Sequence, residues 1–459
     1  MVFQRFVKKS QMPASAKDLF AWHERPGAIE RLSPLWTPVT VRSSDPGIGV
    51  GSRADIRIHL GPLRIPWKAE HIAYQSGVCF TDRQTFGPFA MWRHTHETLS
   101  LGPAESWLVD DITYALPGGR LGDLLAGYAI EKNLARMFDY RHRVTARDLS
   151  RHLSVPGKPK LRIVITGASG VVGKALVPFL TTGGHTVYTL VRRKPAADHN
   201  EIYWHPGTGE IDAAALEGMD AVIHLAGENI LQHPWTPAVK KRIVESRTHG
   251  TRLLSECLVR LKQPPKVVLS ASAIGYYGDR KDAVMTEADA SGTGFISHVC
   301  QGWESAAKAL VDSEIRTVFM RIGVVLTPAG GALARMAPRF RMGLGGRLGS
   351  GAQYLSWVSI EDLIGSMHYL LFTDHIHGPV NIVSPHPVTD RTFTKILAHL
   401  YKLPAVCHVP EHLIRRLFGE MGEEVVLSST RVRPKRLMES GYRFTHAFLS
   451  DALKEMLGC

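Results

Sequence analysis

The sequence predicts an α/β chain whose larger, C-terminal part is a doubly wound parallel sheet, preceded by a separate α+β domain built on an antiparallel meander. Three observations carry that expectation. The run Leu161-Arg-Ile-Val-Ile-Thr-Gly-Ala-Ser-Gly-Val-Val-Gly173 reads as a short buried strand, a glycine turn and the start of a helix. Apolar runs at 220–230, 267–278 and 316–326 each end in small or polar residues, as strands buried on both faces of a parallel sheet do. Ahead of the glycine run, residues 153–160 (Leu-Ser-Val-Pro-Gly-Lys-Pro-Lys) have the composition of a linker.

Within the glycine turn, Gly167 permits a sharp bend, Gly170 removes the Cβ that would hold a pyrophosphate away, and Gly173 lets the helix pack close to the strand. The helix N-terminus then offers unpaired N–H groups to phosphates. Ser169 and Val171, inside the same turn, are candidate contacts with them. Leu176, Val177, Phe179 and Leu180 continue at helical spacing, and residues 185–191 supply a second strand, completing a βαβ half of Rossmann type. That second strand ends in Arg192-Arg193-Lys194 with no Asp or Glu. An acidic residue there binds the ribose hydroxyls of NAD, whereas arginine accommodates the 2′-phosphate of NADP, so NADP(H) is the expected cofactor. A basic surface loop is the plainer alternative. Ligands of open α/β sheets bind outside the carboxyl ends of the strands, which puts Ala226, Gly227, Ser272 and Val325 at the border of the cofactor crevice.

In the first 152 residues, strand-like pieces at 51–60, 65–74, 78–86, 90–99 and 107–115 follow one another with Gly, Pro and Asp punctuation. The N-terminal residues 1–10 alternate like a further strand and lack the apolar block of a signal peptide. Ser15-Ala-Lys-Asp18 predicts a capped helix through Trp22, and a second short helix is expected over 27–32. After Pro117-Gly-Gly119, the apolar positions Leu121, Leu124, Leu125, Tyr128, Leu134, Met137 and Phe138 predict one long amphipathic helix. The expected organisation is thus a domain at 1–152, a linker at 153–160, a dinucleotide-binding domain at 161–405 and a small module at 406–459.

Bulk properties narrow the function classes. A chain of 459 residues with 44% hydrophobic residues has room for two or three cores. Its apolar runs are too broken to span a bilayer. The net charge of +13 is spread without a dense basic run, which argues for anionic small ligands rather than nucleic acid. Five scattered cysteines without a Cys-x-x-Cys pair suit a reducing, cytoplasmic setting without disulfides or structural zinc. No metal is expected elsewhere either. Trp92, His94 and His96 share a strand face, and two histidines are half of a metal site, yet Asp110 and Asp111 would add only one inward carboxylate.

A strand, two small helices, a curved meander and a long closing helix resemble the helix-grip domains of the START and polyketide-cyclase-like (SRPBCC) superfamily. Leu32-Ser-Pro-Leu-Trp36 and the run from Phe80 to His96 carry that likeness to its bacterial cyclase- or dehydrase-like branch. The resemblance implies an apolar cavity and a hydrophobic small-molecule ligand. From Lys160 onward the blocks around Arg247, Trp303-Glu304, Gly343–Gly351 and Trp357–Asp362, with Leu427–Leu437 and Gly441–Phe444 near the end, closely resemble an atypical extended short-chain dehydrogenase/reductase family, epimerase-like, with its C-terminal DUF1731-type module. That resemblance implies NADP(H) contacts from Gly167, Gly170, Gly173, Arg192, Arg193, Leu225, Ala226, Arg247 and Val325; for Arg247 the family is the sole ground.

Ordinary members of the wider superfamily use a Ser or Thr, a Tyr, and a Lys that lowers the tyrosine pKa so that it can shuttle a proton. Ser272 fits the first role. Counting back from Glu304, the other two positions fall on Ile296 and Cys300, so the Tyr/Lys pair is absent. Tyr276, with Tyr277 beside it, follows Ser272 closely enough to substitute, although tyrosines in Gly-Tyr-Tyr-Gly are more often structural. Two functions remain open: an NADP(H)-dependent oxidoreductase or epimerase-like enzyme handling an apolar small molecule, and a non-catalytic protein that binds NADP(H) and a hydrophobic ligand.

Overall fold

Side-chain alternation decides which face of each N-terminal strand is buried. Strand β1 (Gln4–Met12) alternates half-buried and exposed positions along its length. Helix α1 (Ala16–Glu24) follows, with the Ser15 hydroxyl accepting from the Asp18 N–H at 3.1 Å and donating to the Asp18 carboxylate at 2.7 Å. Helix α2 (Ala28–Leu32) comes next. The strands β2 (Val39–Ser44), β3 (Arg53–Leu60), β4 (Leu63–Gln75), β5 (Cys79–Phe86), β6 (Met91–Ser100) and β7 (Ser106–Ala115) complete a seven-stranded antiparallel sheet in the order β1-β7-β6-β5-β4-β3-β2. Helix α3 (Arg120–Leu153) packs on it, setting Leu134 and Phe138 against Trp92, Ile112 and Tyr114. A buried two-point pair, Arg31 to Asp148 at 2.8 and 2.7 Å, ties α2 to α3. Strand β2 was not foreseen, because Val39 and Val41 alone mark its apolar side before it runs into Arg42-Ser-Ser44.

The amphipathic stripe expected of α3 is realised only in part. Leu134 and Phe138 are buried with Gly127, whereas Leu121, Leu124, Leu125 and Tyr128 are exposed. At 3.6 residues per turn the stripe 121/124/125/128 is rotated by about 120° from the stripe 127/134/138. One helix therefore carries two apolar faces, and the sheet covers one.

The structure, a computed structural model, describes residues 2–37, 39–61, 63–155, 157, 159–196 and 199–459. Met1 at the expected first strand, and Pro156 and Lys158 in the expected linker, lie outside the described residues. Two compact units emerge: Met1–Pro159 with Val177–His185 and Gly458, and Lys160–Leu176 with Thr186–Leu457 and Cys459.

The second unit runs through β8 (Arg162–Thr166), the start of α4 (Val171–Thr182, of which Val177 onward falls in the first unit), β9 (Thr186–Val191), β10 (Glu201–His205), β11 (Glu210–Ile211), β12 (Ala221–His224) and α5 (Pro237–Leu258). It continues with β13 (Val267–Ala273), β14 (Val284–Met285), α6 (Phe295–Ser305), α7 (Lys308–Val311), β15 (Arg316–Ile322), β16 (Val324–Leu326) and α8 (Gly331–Arg341). Then come β17 (Tyr354–Leu355), β18 (Trp357–Ser359), α9 (Ile360–Phe372), β19 (Gly378–Ile382), β20 (Val388–Thr389) and α10 (Asp390–Tyr401). The last elements are α11 (Glu411–Met421), β21 (Arg431–Val432), α12 (Lys435–Glu439) and α13 (Leu449–Leu457).

The eight-stranded sheet has the order β11-β10-β9-β8-β12-β13-β15-β19, parallel except for the edge strand β11. Strand order reverses between β8 and β12, the switch point at which ligands of such sheets bind. Val164, Val222, Val268 and Phe319 from the strands and Leu254, Leu258 and Leu310 from the helices form a core against the sheet. The single strand expected over 316–326 is two. An added Cβ on Gly323 would lie 2.7 Å from Ser356 O and 2.7 Å from Val383 Cγ1. The chain bends there, and β16 pairs with β18 outside the main sheet.

The last fifty residues are built into this unit. Strand β21 pairs with β14, and the Ser356 hydroxyl donates to Thr430 O and accepts from Val432 N–H. The Glu424 carboxylate, in a π-helical turn over Gly422–Leu427, accepts from the N–H groups of Phe295 and Ile296 at 2.7 and 2.8 Å. It thereby caps the positive end of α6. Glu424→Ala is expected to cost about 1–2 kcal/mol in denaturant unfolding, the range for charge-assisted bonds at a partly exposed helix end. An unchanged midpoint and slope would show that this cap does not hold the module.

Candidate cofactor and active site

The turn after β8 is shaped by three close approaches. Gly167 has φ +71°, and an added Cβ would sit 2.9 Å from Leu225 C and 3.0 Å from Ala226 N, so the ends of β8 and β12 meet without room for a side chain. A Cβ on Gly173 would lie 2.5 Å from Ala168 Cα, which fixes the first turn of α4 against the loop. On Gly170 the same Cβ would meet only Gly167 O, at 3.2 Å, leaving its outer side open. Ser169, Gly170 and Val171 are exposed there. An open glycine flank at a helix N-terminus fits a pyrophosphate. When bound, a nicotinamide cofactor supplies or accepts a hydride.

A buried polar chain braces the two strand ends. The Thr166 hydroxyl accepts from the N–H groups of Leu225 and Ala226, both at 3.0 Å. With its acceptor sites used, its own proton goes to His224 Nδ1 at 2.7 Å, so His224 carries hydrogen on Nε2 and donates to Thr251 Oγ1 at 2.9 Å. Burial lowers the His224 pKa to about 4, which keeps the ring neutral. The sequence reading missed this chain, although Thr166 and His224 are the polar residues closing two otherwise apolar strands.

The two arginines after β9 differ. Arg193 donates to Glu201 Oε1 at 2.5 Å and to Lys194 O, while Arg192 is exposed and makes no ion pair or hydrogen bond among the described residues. Arg247 lies mostly buried, its guanidinium 4.8 Å from the Trp303 ring centroid and donating to Glu228 O at 3.0 Å and Ile243 O at 3.1 Å. A Cβ on Gly227 would approach its Cζ to 3.3 Å. Arg247 thus supports the loop that follows β12. Val325 lies in β16, past the bend at Gly323, and a Cβ on Gly330 would stand 2.5 Å from Val171, which brings the 327–331 turn to the start of α4.

Ser272, on β13, is 3% exposed and donates to Glu304 Oε1 at 2.7 Å. Glu304 is gripped at both oxygens by Arg321, at 2.9 Å each. Burial opposes the charge on Arg321, but the Glu304 contact prevails and raises its pKa. Arg321 also donates to the Tyr277 hydroxyl at 3.1 Å, and that hydroxyl donates to Asn381 Oδ1 at 2.7 Å. Burial pushes Tyr277 up to about 12, so it is a structural phenol. Tyr276 is half-buried, with its ring centroid 3.5 Å from the Arg321 guanidinium and its hydroxyl without a partner among the described residues. Ile296 and Cys300 do stand on α6, which packs against β13. Cys300 is 2% exposed and burial pushes its thiol up to about 12, which disfavours a thiolate at neutral pH. In the sequence nothing joins Glu304, which follows Trp303 on a helix, to Arg321, the one charge inside an apolar strand run.

A second polar cluster is buried in the N-terminal unit. His94 and His96 both face inward on β6, as alternation requires, and Asp110 is inward on β7 while Asp111 points out to Arg5. His94 Nε2 donates to Asp110 Oδ1 at 2.8 Å, and His142 Nε2 lies 2.6 Å from Asp110 Oδ2. Burial favours a neutral carboxyl at Asp110, yet the charge on His96, with the hydrogen bonds from His142 and His94, outweighs it and holds the pKa well below the usual range. The sequence reading counted one inward carboxylate and missed a second, Asp82, which pairs with His94 from the neighbouring strand β5. Its signal was there in the alternation of Phe80-Thr-Asp82.

With this geometry in hand, comparison with known proteins is direct. Residues 163–382 match the NAD dependent epimerase/dehydratase family, and residues 409–456 match a domain of unknown function, DUF1731. A Mycobacterium bovis epimerase family protein is 40% identical over 291 residues, 63% of this chain and 96% of its own length. The human epimerase family protein SDR39U1 is 35% identical over 300 residues, 65% of this chain and all of the relative. The chain belongs to the epimerase family. Among solved structures, a nucleoside-diphosphate sugar epimerase from Corynebacterium glutamicum superposes with a TM-score of 0.81 at 30% identity, covering 99% of this chain and 90% of that one. Human SDR39U1, solved with NADPH, superposes at 0.59 with 31% identity over 65% of this chain and 99% of its own. The first of these extends over the N-terminal sheet as well. Among the described residues no helix is long and apolar enough to cross a membrane.

Thr166→Val removes one oxygen that satisfies two half-buried N–H groups and the buried His224, leaving Leu225 N–H only the Thr166 carbonyl at 3.3 Å. It is expected to destabilise the protein by about 2–3 kcal/mol, near the top of the range for orphaned buried polar groups, measurable in urea unfolding. Loss below about 0.5 kcal/mol would mean that Leu225 and Ala226 are held by other contacts.

Proposed function

We propose that this protein is an NADP(H)-dependent oxidoreductase or epimerase-like enzyme acting on an apolar small molecule that its N-terminal domain handles. One observation carries the cofactor half: Arg192 is exposed and uncommitted at the end of β9, on the sheet whose glycine turn is open at Gly170. A 2′-phosphate offers that guanidinium a charge-assisted partner, whereas NADH does not. The NADPH bound to human SDR39U1 supports the same choice.

The residues proposed for chemistry are Ser272 and Tyr276. With its proton engaged by Glu304, the Ser272 hydroxyl presents lone pairs and so favours a substrate O–H as donor. Tyr276, its ring against Arg321, supplies a phenol with no other engagement among the described residues. For the N-terminal domain the support is its helix-grip order of elements together with the uncovered apolar face Leu121, Leu124, Leu125 and Tyr128 of α3. The thiols of Cys79, Cys257, Cys300, Cys407 and Cys459 are all free, which supports a cytoplasmic setting.

A second reading, a non-catalytic NADP(H)- and hydrophobic-ligand-binding protein, is favoured by a different observation. Ile296 and Cys300 occupy the places of the proton shuttle, and the Glu304 carboxylate already has both oxygens engaged by Arg321.

Titration separates the cofactor claims. Arg192→Ala is expected to weaken NADPH binding about tenfold to a hundredfold and to leave NADH unchanged, because a bond to a charged group contributes about 1.5–3 kcal/mol. Arg193→Ala should do less, since Arg193 already serves Glu201. Equal affinity of the native protein for both nucleotides would contradict the NADP(H) assignment. For chemistry, NADPH oxidation with ligands recovered from the purified protein is expected to fall about a hundredfold in Ser272→Ala, which loses the acceptor that positions the substrate O–H, and to persist in Cys300→Ala. Absence of turnover with every recovered ligand would favour the binding protein.

A further inference from the structure

The side chains between β5 and β6 are spaced as metal ligands rather than as hydrogen-bonding partners. Asp82 Oδ2 lies 3.5 Å from His94 Nδ1 and 3.8 Å from His96 Nε2, and the three residues each offer one ligand atom within 4.8 Å of the other two. Those separations exceed the 2.7–3.2 Å of a good N–H···O bond. They lie near the edge of a tetrahedron about a first-row ion, about 3.3 Å when ligands stand at about 2.0–2.1 Å. Three donor atoms on neighbouring strands thus converge at ion-pair distance, longer than a short hydrogen bond between any two of them would be.

The remaining ring atoms are oriented as a metal site requires. His94 spends its Nε2 hydrogen on Asp110 Oδ1, which leaves Nδ1 bare towards Asp82. His96 Nδ1 stands 2.6 Å from the same Asp110 oxygen but off the N–H axis, so it makes no hydrogen bond although its ring is buried. A small rotation of that ring would give Asp110 a second imidazole, the carboxylate–histidine support that fixes tautomer and direction in metal sites. Phe80 stacks on His96 at 4.2 Å, and the His94 and His96 ring centroids are 3.8 Å apart, so neither ring is free to turn away.

We propose that Asp82, His94 and His96 bind one divalent transition-metal ion inside the N-terminal domain, with Asp110 as the carboxylate that orients the His94 ring and stands beside His96. Two imidazoles and one carboxylate suit zinc with an open fourth position, and equally the facial set that holds ferrous iron with open sites. The shared chemistry is a borderline divalent ion that keeps a position for water or substrate. Asp82, whose side chain is 14% exposed, is the solvent-side ligand. This inference stands apart from the nucleotide reading and uses none of its residues.

The test uses the full chain, stripped with a chelator and titrated separately with Zn²⁺ and, without oxygen, with Fe²⁺. One equivalent of at least one ion is expected to bind, the tighter of the two identifying the resident class. Asp82→Asn should weaken it at least about a hundredfold, and Asp110→Asn about tenfold to a hundredfold, the usual effect of losing an outer-shell carboxylate. X-ray absorption of the loaded native protein should show two imidazole nitrogens and carboxylate or water oxygen with no sulfur, a readout independent of whether the variants fold. No binding of either ion, sulfur ligation, or binding indifferent to a folded Asp82→Asn chain would overturn the site.

Discussion

The close approach of β8 and β12 at their carboxyl ends is the constraint on which the rest of the nucleotide half depends. Gly167 lies so near Leu225 and Ala226 that no side chain fits, and the Thr166 hydroxyl holds both of their N–H groups. Beyond that point the chain from β8 turns one way and the chain from β12 the other, because strand order reverses there. A ligand site at this place follows from topology, and its detailed shape from one threonine and one glycine. The neutral His224 behind them matters for the same reason: a charged ring among apolar strands would cost far more than its two hydrogen bonds return.

A different logic governs the proposed reaction centre. Glu304 and Arg321 form a two-point pair with Ser272 and Tyr277 hydrogen-bonded to it, and Tyr277 passes the network on to Asn381. Such a pair contributes little net stability over an apolar replacement, because desolvation offsets much of the Coulomb attraction. Breaking one partner is costly, however, since the other charge is then left buried. Arg321 links the Ser272 hydroxyl to the Tyr276 ring, so the two residues proposed for chemistry are positioned by the same guanidinium.

What the sequence revealed follows from the range of each interaction. The glycine turn, the parallel strands and the capped helix α1 are local patterns, and the positions of Gly167, Gly170, Gly173 and Ser15 were legible from spacing alone. The inward faces of His94, His96 and Asp110 followed from alternation. Asp82 shares that alternation with Phe80, but its place beside His94 was hidden, because sequence gives no register between β5 and β6. The Glu304–Arg321 pair was hidden likewise, joining a helix to a strand 17 residues later. The stripe on α3 misled because local periodicity marks an apolar face without saying whether anything covers it. The division of labour between Arg192 and Arg193 depended on Glu201, a residue of the next strand.

Hydrogen exchange with and without NADPH decides whether the turn after β8 and the loop after β12 together hold a dinucleotide. Saturating NADPH is predicted to slow exchange at the amides of 168–173 and 225–228, with smaller changes at 192–194, while the N-terminal sheet stays unchanged. Slowing confined to other segments, or no slowing at 168–173 when binding is saturated, would contradict it.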